Sequence, residues 1–137
     1  MTPFGERLRQ LRAQRGISQK QMARDLEISN AYLSALEHGR RGVPTRSLLI
    51  QICTYFNIIW DEAEELERLA GLSDPKVTVE TGGLDPRATR LANLVAQRIA
   101  TLDGPTLDRL LAILDVARPD GQTGRGRAGE RPADPAD

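Results

Sequence analysis

Apolar residues recur along this chain mostly at spacings of three and four, the signature of amphipathic helices. Phe4, Leu8 and Leu11 form the first stripe, opened by Thr2 and Pro3 as an N-cap and first-turn pair and closed by Gly16. A second stripe runs through Met22, Ala23 and Leu26 and a third through Leu33 and Leu36, with Ile28 between them as an apolar plug. Ser18 followed by Gln21 has the spacing of a capping box, Ser29 suits the N-cap of the next helix, and Gly39 supplies a left-handed end. Two short helices joined by a tight turn therefore lie between Ser18 and Gly39, and Ala23 is small enough to let them cross closely.

Further on, Thr45 caps a fourth helix whose inner stripe is Leu49, Ile52, Cys53 and Phe56, and Asn57 breaks it. Ile58, Ile59 and Trp60 continue the apolar surface, with Trp60 expected in the core. Asp61 caps a fifth helix that carries its acids in the first turns, where the helix dipole favours them, and ends at Gly71. Residues 72–84 change character: Val77, Thr78 and Val79 favour extended chain between Pro75 and Gly82, as in a linker or short arm.

Asp85 and Pro86 open a sixth helix with Ala88, Leu91, Ala92, Val95, Ile99 and Leu102 on one side, and after a break a seventh carries Leu107, Leu110, Leu111 and Leu114. Together they predict a helical hairpin over 85–117 whose apolar face nothing else in the sequence covers. It packs on the N-terminal domain or on a second copy, and the second copy is favoured because symmetric dimers are the commonest oligomers. Leu91, Val95, Ile99, Leu107, Leu110, Leu111 and Leu114 are the candidate dimer interface. Residues 118–137, rich in Gly, Pro, Arg and Asp without apolar periodicity, read as a disordered tail.

The two short helices have the pattern of a helix-turn-helix, whose second helix enters the major groove of DNA. At about 100° per residue, Leu33 and Leu36 mark its buried side, and Ala31, Ser34, Ala35 and His38 fall opposite, with Asn30 at the exposed first turn. A solvated helix face carries Lys and Glu, whereas this one is small and uncharged, as a surface set close against base edges must be. The same face also suits packing against another protein helix.

These residues resemble the Cro and phage-repressor type of regulators, the xenobiotic-response-element (XRE) helix-turn-helix family. The likeness rests on LRxxRG at Leu11 to Gly16, Ser18 and Gln19, Met22 and Ala23, Ile28 and Ser29, YLSxLExG at Tyr32 to Gly39, and Pro44 with the helix after it, across about the first 60 residues. It implies an all-α chain: a five-helix repressor-like DNA-binding domain at 1–71, then the hairpin and tail. It also implies operator DNA as the partner, bound by a dimer. Carried over by position, base reading falls on Asn30, Ala31 and Ala35, with Ser34 beside them. Phosphate contacts fall on Gln19, which also braces the recognition helix, and on His38, Arg40, Arg41 and Thr45. The resemblance further pairs Arg12 with Glu37. One departure is Glu27, where the family often has Gly at positive φ, a cost on the order of 1 kcal/mol. Another is Ala31 and Ala35, shorter than in some relatives, which leaves Asn30 as the only residue able to make a bidentate contact to adenine.

Charge fits this division. The net is zero, yet residues 1–60 hold nine Lys or Arg against four Asp or Glu, and residues 61–117 hold six against eleven. The positive field is thus local to the motif, as phosphate binding requires. One His and one Cys cannot build a zinc site, and with the only His in a DNA-facing position a Ser-His-Asp constellation is not supported, so no cofactor and no catalysis are expected. Cys53 is expected to pack as a small buried hydrophobe. No run approaches the roughly 18 apolar residues of a membrane helix and the start lacks a signal peptide, so a cytoplasmic protein is expected. The family resemblance implies a dimeric regulator on an inverted repeat, more often a repressor than an activator. The alternative is an antitoxin-like or adaptor protein whose acidic C-terminal half grips a protein partner.

Overall fold

A computed structural model describes residues 1–117. The described chain is all-helical, and no strand forms among these residues, Val77 to Val79 included. The elements are α1 (Pro3–Arg15), α2 (Gln19–Leu26), α3 (Asn30–Glu37), α4 (Arg46–Tyr55), α5 (Trp60–Gly71), α6 (Pro86–Arg98), a single 3₁₀ turn (Ile99–Thr101) and α7 (Gly104–Ala117). The tail read at 118–137 lies outside the described residues.

Four of the helices begin by one device. The side chains of Thr2, Ser18, Ser29 and Thr45 each accept the backbone N–H three residues on, from Gly5, Gln21, Tyr32 and Leu48. The return half of the capping box at Ser18 does not form, because the Gln21 amide donates to Asp25 at 2.8 Å and its oxygen accepts from Arg24 at 2.9 Å. Gly16 closes α1 at φ +68°.

The chain divides into two compact units, Met1–Thr78 and a second that begins at Val79. In the first, Phe4, Leu8, Met22, Leu33, Leu36, Ile52, Phe56 and Leu66 form a close-packed centre. α1 runs through it and packs on α2, α3 and α5, while α2 packs on α3 and α4. The unit continues past α5: Ser73 is buried, its hydroxyl donating to the Leu69 carbonyl and accepting from the Phe4 N–H at 2.9 Å.

Three expectations fail around α4 and α5. Trp60 is not in the core but 79% exposed, and α5 starts on it rather than after an Asp61 cap. The physical reason is the backbone: Trp60 has φ +52°, which turns it away from the core that Ile58 enters. α5 has no side-chain cap, and its acids Asp61 and Glu62 lie in the first turn. Cys53 is half-buried at the core's edge, where burial pushes its thiol pKa up.

In the second unit no described side chain is buried. Asp85 caps α6 by accepting from the Arg87 N–H at 2.8 Å, and Asp103 accepts from the Thr106 N–H at 2.9 Å as α7 begins. Leu91, Val95, Ile99, Leu110, Leu111 and Leu114 stand between 38% and 64% exposed, and Leu107 is half-buried.

Candidate nucleic-acid interface

α2 and α3 are joined through Glu27, which takes φ +61° and ψ +40°. Its N–H bonds the Arg24 carbonyl and that of Ile28 bonds Ala23, so the end of α2 is sealed by a left-handed residue that carries a side chain. Ile28, half-buried, plugs the turn.

α3 is fixed from inside by its last residue. Glu37 is fully buried, and both its carboxylate oxygens are used. The Arg12 guanidinium of α1 pairs with Oε2 through Nη1 and donates to Oε1 through Nη2 at 3.3 Å, while the Gln19 amide donates to Oε1 at 3.0 Å. One carboxylate thereby joins the last turn of α1, the start of α2 and the end of α3. Its backbone is held as well: the Glu37 carbonyl accepts from the Thr2 N–H at 3.0 Å and from the Thr2 hydroxyl at 3.2 Å. Gly5 lies so close to this carbonyl that a Cβ there would sit well inside van der Waals contact.

With the inner face held, the outer face of α3 presents Asn30 and Ala31, both exposed, and Ser34 and Ala35, both half-exposed. None of the four carries charge. His38 follows, its Nδ1–H donating to the Ser34 carbonyl at 2.9 Å and its ring exposed. Beyond it Arg40 is exposed, with no carboxylate partner among the described residues. Arg41 lies over the ring of Tyr32, 5.5 Å from its centroid, so a residue of α3 positions a cation in the next loop. Thr45 is exposed, its oxygen engaged as the cap of α4.

Other cations of this unit serve the fold. Arg15 donates to the Phe56 carbonyl and stacks on the Phe56 ring at 5.8 Å, Arg46 pairs with Glu67 at 3.2 Å, and Arg7 reaches Glu62 at 3.9 Å. Past the end of α3, Arg40 and Arg41 are exposed, and Lys20 is exposed at the start of α2.

Two contributors to this arrangement escape sequence reasoning. Tyr32 carries Arg41 across a loop, and no local pattern marks that contact. Tyr55 of α4 donates to Asp25 of α2 at 2.6 Å, tying the motif to the rest of the unit. That bond, with one from Gln21, holds the Asp25 carboxyl below its ordinary pKa. Burial and the same carboxylate push the Tyr55 phenol up to about 12. Among the described residues no cluster of His, Cys, Asp and Glu could hold a metal ion, and no helix is long and apolar enough to cross a membrane.

Residues 5–72 match a family described as a helix-turn-helix domain. The chain is 44% identical over 57 residues to the HTH-type transcriptional regulator RamB of Mycobacterium tuberculosis, a stretch covering 42% of this chain and 12% of the relative. It is 33% identical over 61 residues to the uncharacterized HTH-type transcriptional regulator RghRB of Bacillus subtilis, covering 44% of each. The chain therefore spans less than half the length of these relatives. No solved structure matches it.

Proposed function

Because residues 5–72 belong to the XRE-type helix-turn-helix family, we propose that this chain is a cytoplasmic, sequence-specific DNA-binding transcriptional regulator. It acts as a homodimer on an inverted-repeat operator and represses by occupying it. The observation that carries this reading is the small, uncharged outer face of α3 followed at once by the exposed cations Arg40 and Arg41. That combination lets a helix approach base edges while its neighbours meet phosphates.

In this reading Gln19, His38, Arg40, Arg41 and Thr45 set the register on the backbone, and Asn30 makes the bidentate contact to adenine. Ala31 and Ala35 contact thymine methyl groups, Ser34 supplies a short polar contact, and DNA shape adds to a thin direct readout. The exposed apolar side chains of α6 and α7 pair with those of a second copy. Two recognition helices then lie about 34 Å apart, one helical turn of DNA.

The test is selection of bound sequences from random duplex DNA, followed by titration of the winner at several salt concentrations. An enriched inverted repeat with half-sites one turn apart supports the reading. Salt-sensitive binding with no enriched sequence overturns specific regulation and leaves DNA as an anchor. The exposed apolar side of the second unit also suits an antitoxin-like or adaptor role toward a protein partner, which a stable co-purifying protein at the expense of the homodimer would favour.

A further inference from the structure

Between the end of α5 and the start of α6 the chain reads Lys76, Val77, Thr78, Val79, Glu80, in a stretch outside every helix. All five residues are exposed, Val77 to 71% and Val79 to 64%. Among the described residues the backbone N–H and C=O groups of Val77, Thr78 and Val79 find no hydrogen-bond partner. Lys76 and Glu80 enter no ion pair among those residues either. Residues of high strand propensity, with open main-chain donors and acceptors, are a strand in want of a neighbour.

The order of these five residues selects that neighbour, because it complements itself about Thr78. Laid antiparallel to its own copy and centred on Thr78, the segment sets Lys76 against Glu80 at both ends, Val77 against Val79 at both inner places, and Thr78 against Thr78. Opposite charges, paired β-branched side chains and paired threonines are the combinations that stabilise neighbouring strands. Other alignments lose them. Parallel pairing brings Lys76 beside Lys76 and Glu80 beside Glu80. An antiparallel register centred on Val77 sets Lys76 against Thr78 and brings in Pro75, which has no N–H to give, and one centred on Val79 sets Thr78 against Glu80.

We propose that residues 76–80 of two copies pair as an antiparallel β-ribbon centred on Thr78. The valines of both copies then share one side of the ribbon, and the charged pairs and threonines share the other. A two-stranded ribbon is marginal in water by itself. The pairing therefore rests on the homodimer of α6 and α7: Pro86, where α6 begins, follows Glu80 closely, so joined helices hold the two segments at high effective concentration. The first compact unit ends at Thr78, and the ribbon thus ties the two N-terminal units together at their ends. It limits how far apart the two α3 helices can lie, and with that the half-site spacings the dimer accepts.

The test uses the full chain carrying Cys53→Ser, so that an introduced cysteine is the only one. Directly opposed residues of an antiparallel pair have Cα atoms about 4.5 to 5.5 Å apart, within disulfide reach. Lys76 of one copy lies roughly 13 Å from Lys76 of the other along the ribbon. In a glutathione redox buffer Thr78→Cys is expected to form a symmetric disulfide dimer and Lys76→Cys to remain largely reduced. A mixture of Lys76→Cys and Glu80→Cys chains should form the mixed disulfide, identified by mass. Sedimentation across a dilution series supplies a second readout without cysteines: Lys76→Glu should weaken the dimer severalfold, and adding Glu80→Lys should restore it. A dimer in which Thr78→Cys stays reduced, or Lys76→Cys cross-links to itself as readily, overturns the ribbon and leaves the α6–α7 reading standing. Failure of the charge exchange to restore the dimer overturns it likewise. A chain that is monomeric at every concentration overturns both.

Discussion

The Glu37 carboxylate sits fully buried beside the Arg12 guanidinium, and the Gln19 amide completes its hydrogen bonding. Removing one member strands the other. Glu37→Ala leaves Arg12 buried without a counter-charge and is expected to cost about 3 to 5 kcal/mol, measured by urea denaturation. The double variant Arg12→Met with Glu37→Leu is expected to regain most of that loss, because an apolar pair of similar volume avoids the desolvation penalty. Equal destabilisation of the single and double variants would show that the pair contributes far more than charge balance.

Gly5 is required by approach rather than by backbone freedom. Gly5→Ala puts a methyl against the Glu37 carbonyl and is expected to cost about 1 to 3 kcal/mol. Gly71→Ala, at the end of α5 with nothing near it, is expected to be neutral or to stabilise by up to about 1 kcal/mol through helix propensity. Thermal melts of both variants check this pair of opposite signs.

The Tyr55–Asp25 bond gives a pH-dependent contribution. Asp25 has a folded pKa below its ordinary 3.8, so its share of stability is present above 3.8 and is lost as pH falls through the lowered value. Tyr55, raised from 10 to about 12, contributes fully below 10 and loses its share as pH rises through 12. Tyr55→Phe should therefore lower the urea midpoint at neutral pH, and the gap from the parent should narrow in acid. A gap unchanged in acid would mean that packing, not the hydrogen bond, ties α2 to α4.

How far these features are legible in the sequence depends on the range of the interaction. The four caps at Thr2, Ser18, Ser29 and Thr45 are local, and the sequence marks each of them. The positive φ at Glu27 is reached only through the family resemblance, since a glutamate does not itself signal a left-handed residue. Trp60 is misread because hydropathy reports what a side chain prefers, while a left-handed backbone decides where it points. The Arg12–Glu37 pair spans 25 residues and is reached only through the family resemblance. Tyr32 with Arg41 and Tyr55 with Asp25 have no such guide, being set by how the helices pack.

Base reading and phosphate binding separate experimentally on the selected operator. Asn30→Ala should relax specificity at one base pair by roughly 1 to 3 kcal/mol, while Arg40→Ala should weaken matched and mismatched duplexes alike and reduce the salt slope by about one. Titrations on both duplexes decide the matter, and indistinguishable behaviour of the two variants would remove the assigned division of labour.

A chain ending at Gly83 lacks the apolar side chains of α6 and α7 and should sediment as a monomer where the full chain is dimeric. With only one recognition helix engaged at a time, its operator affinity should fall by a factor of 10² to 10⁴, the range lost with bivalence. Persistence of the dimer would move the principal interface into the first unit.

The residues that hold α3 in place and those it shows to solvent are different sets. Arg12, Gln19, Glu37, Thr2 and Gly5 act on its inner side and its end, through hydrogen bonds and a close approach in which Ala31, Ser34 and Ala35 take no part. Longer side chains can be written onto that blank strip without dismantling its mounting, so new target preferences are open to this scaffold by substitution at three positions.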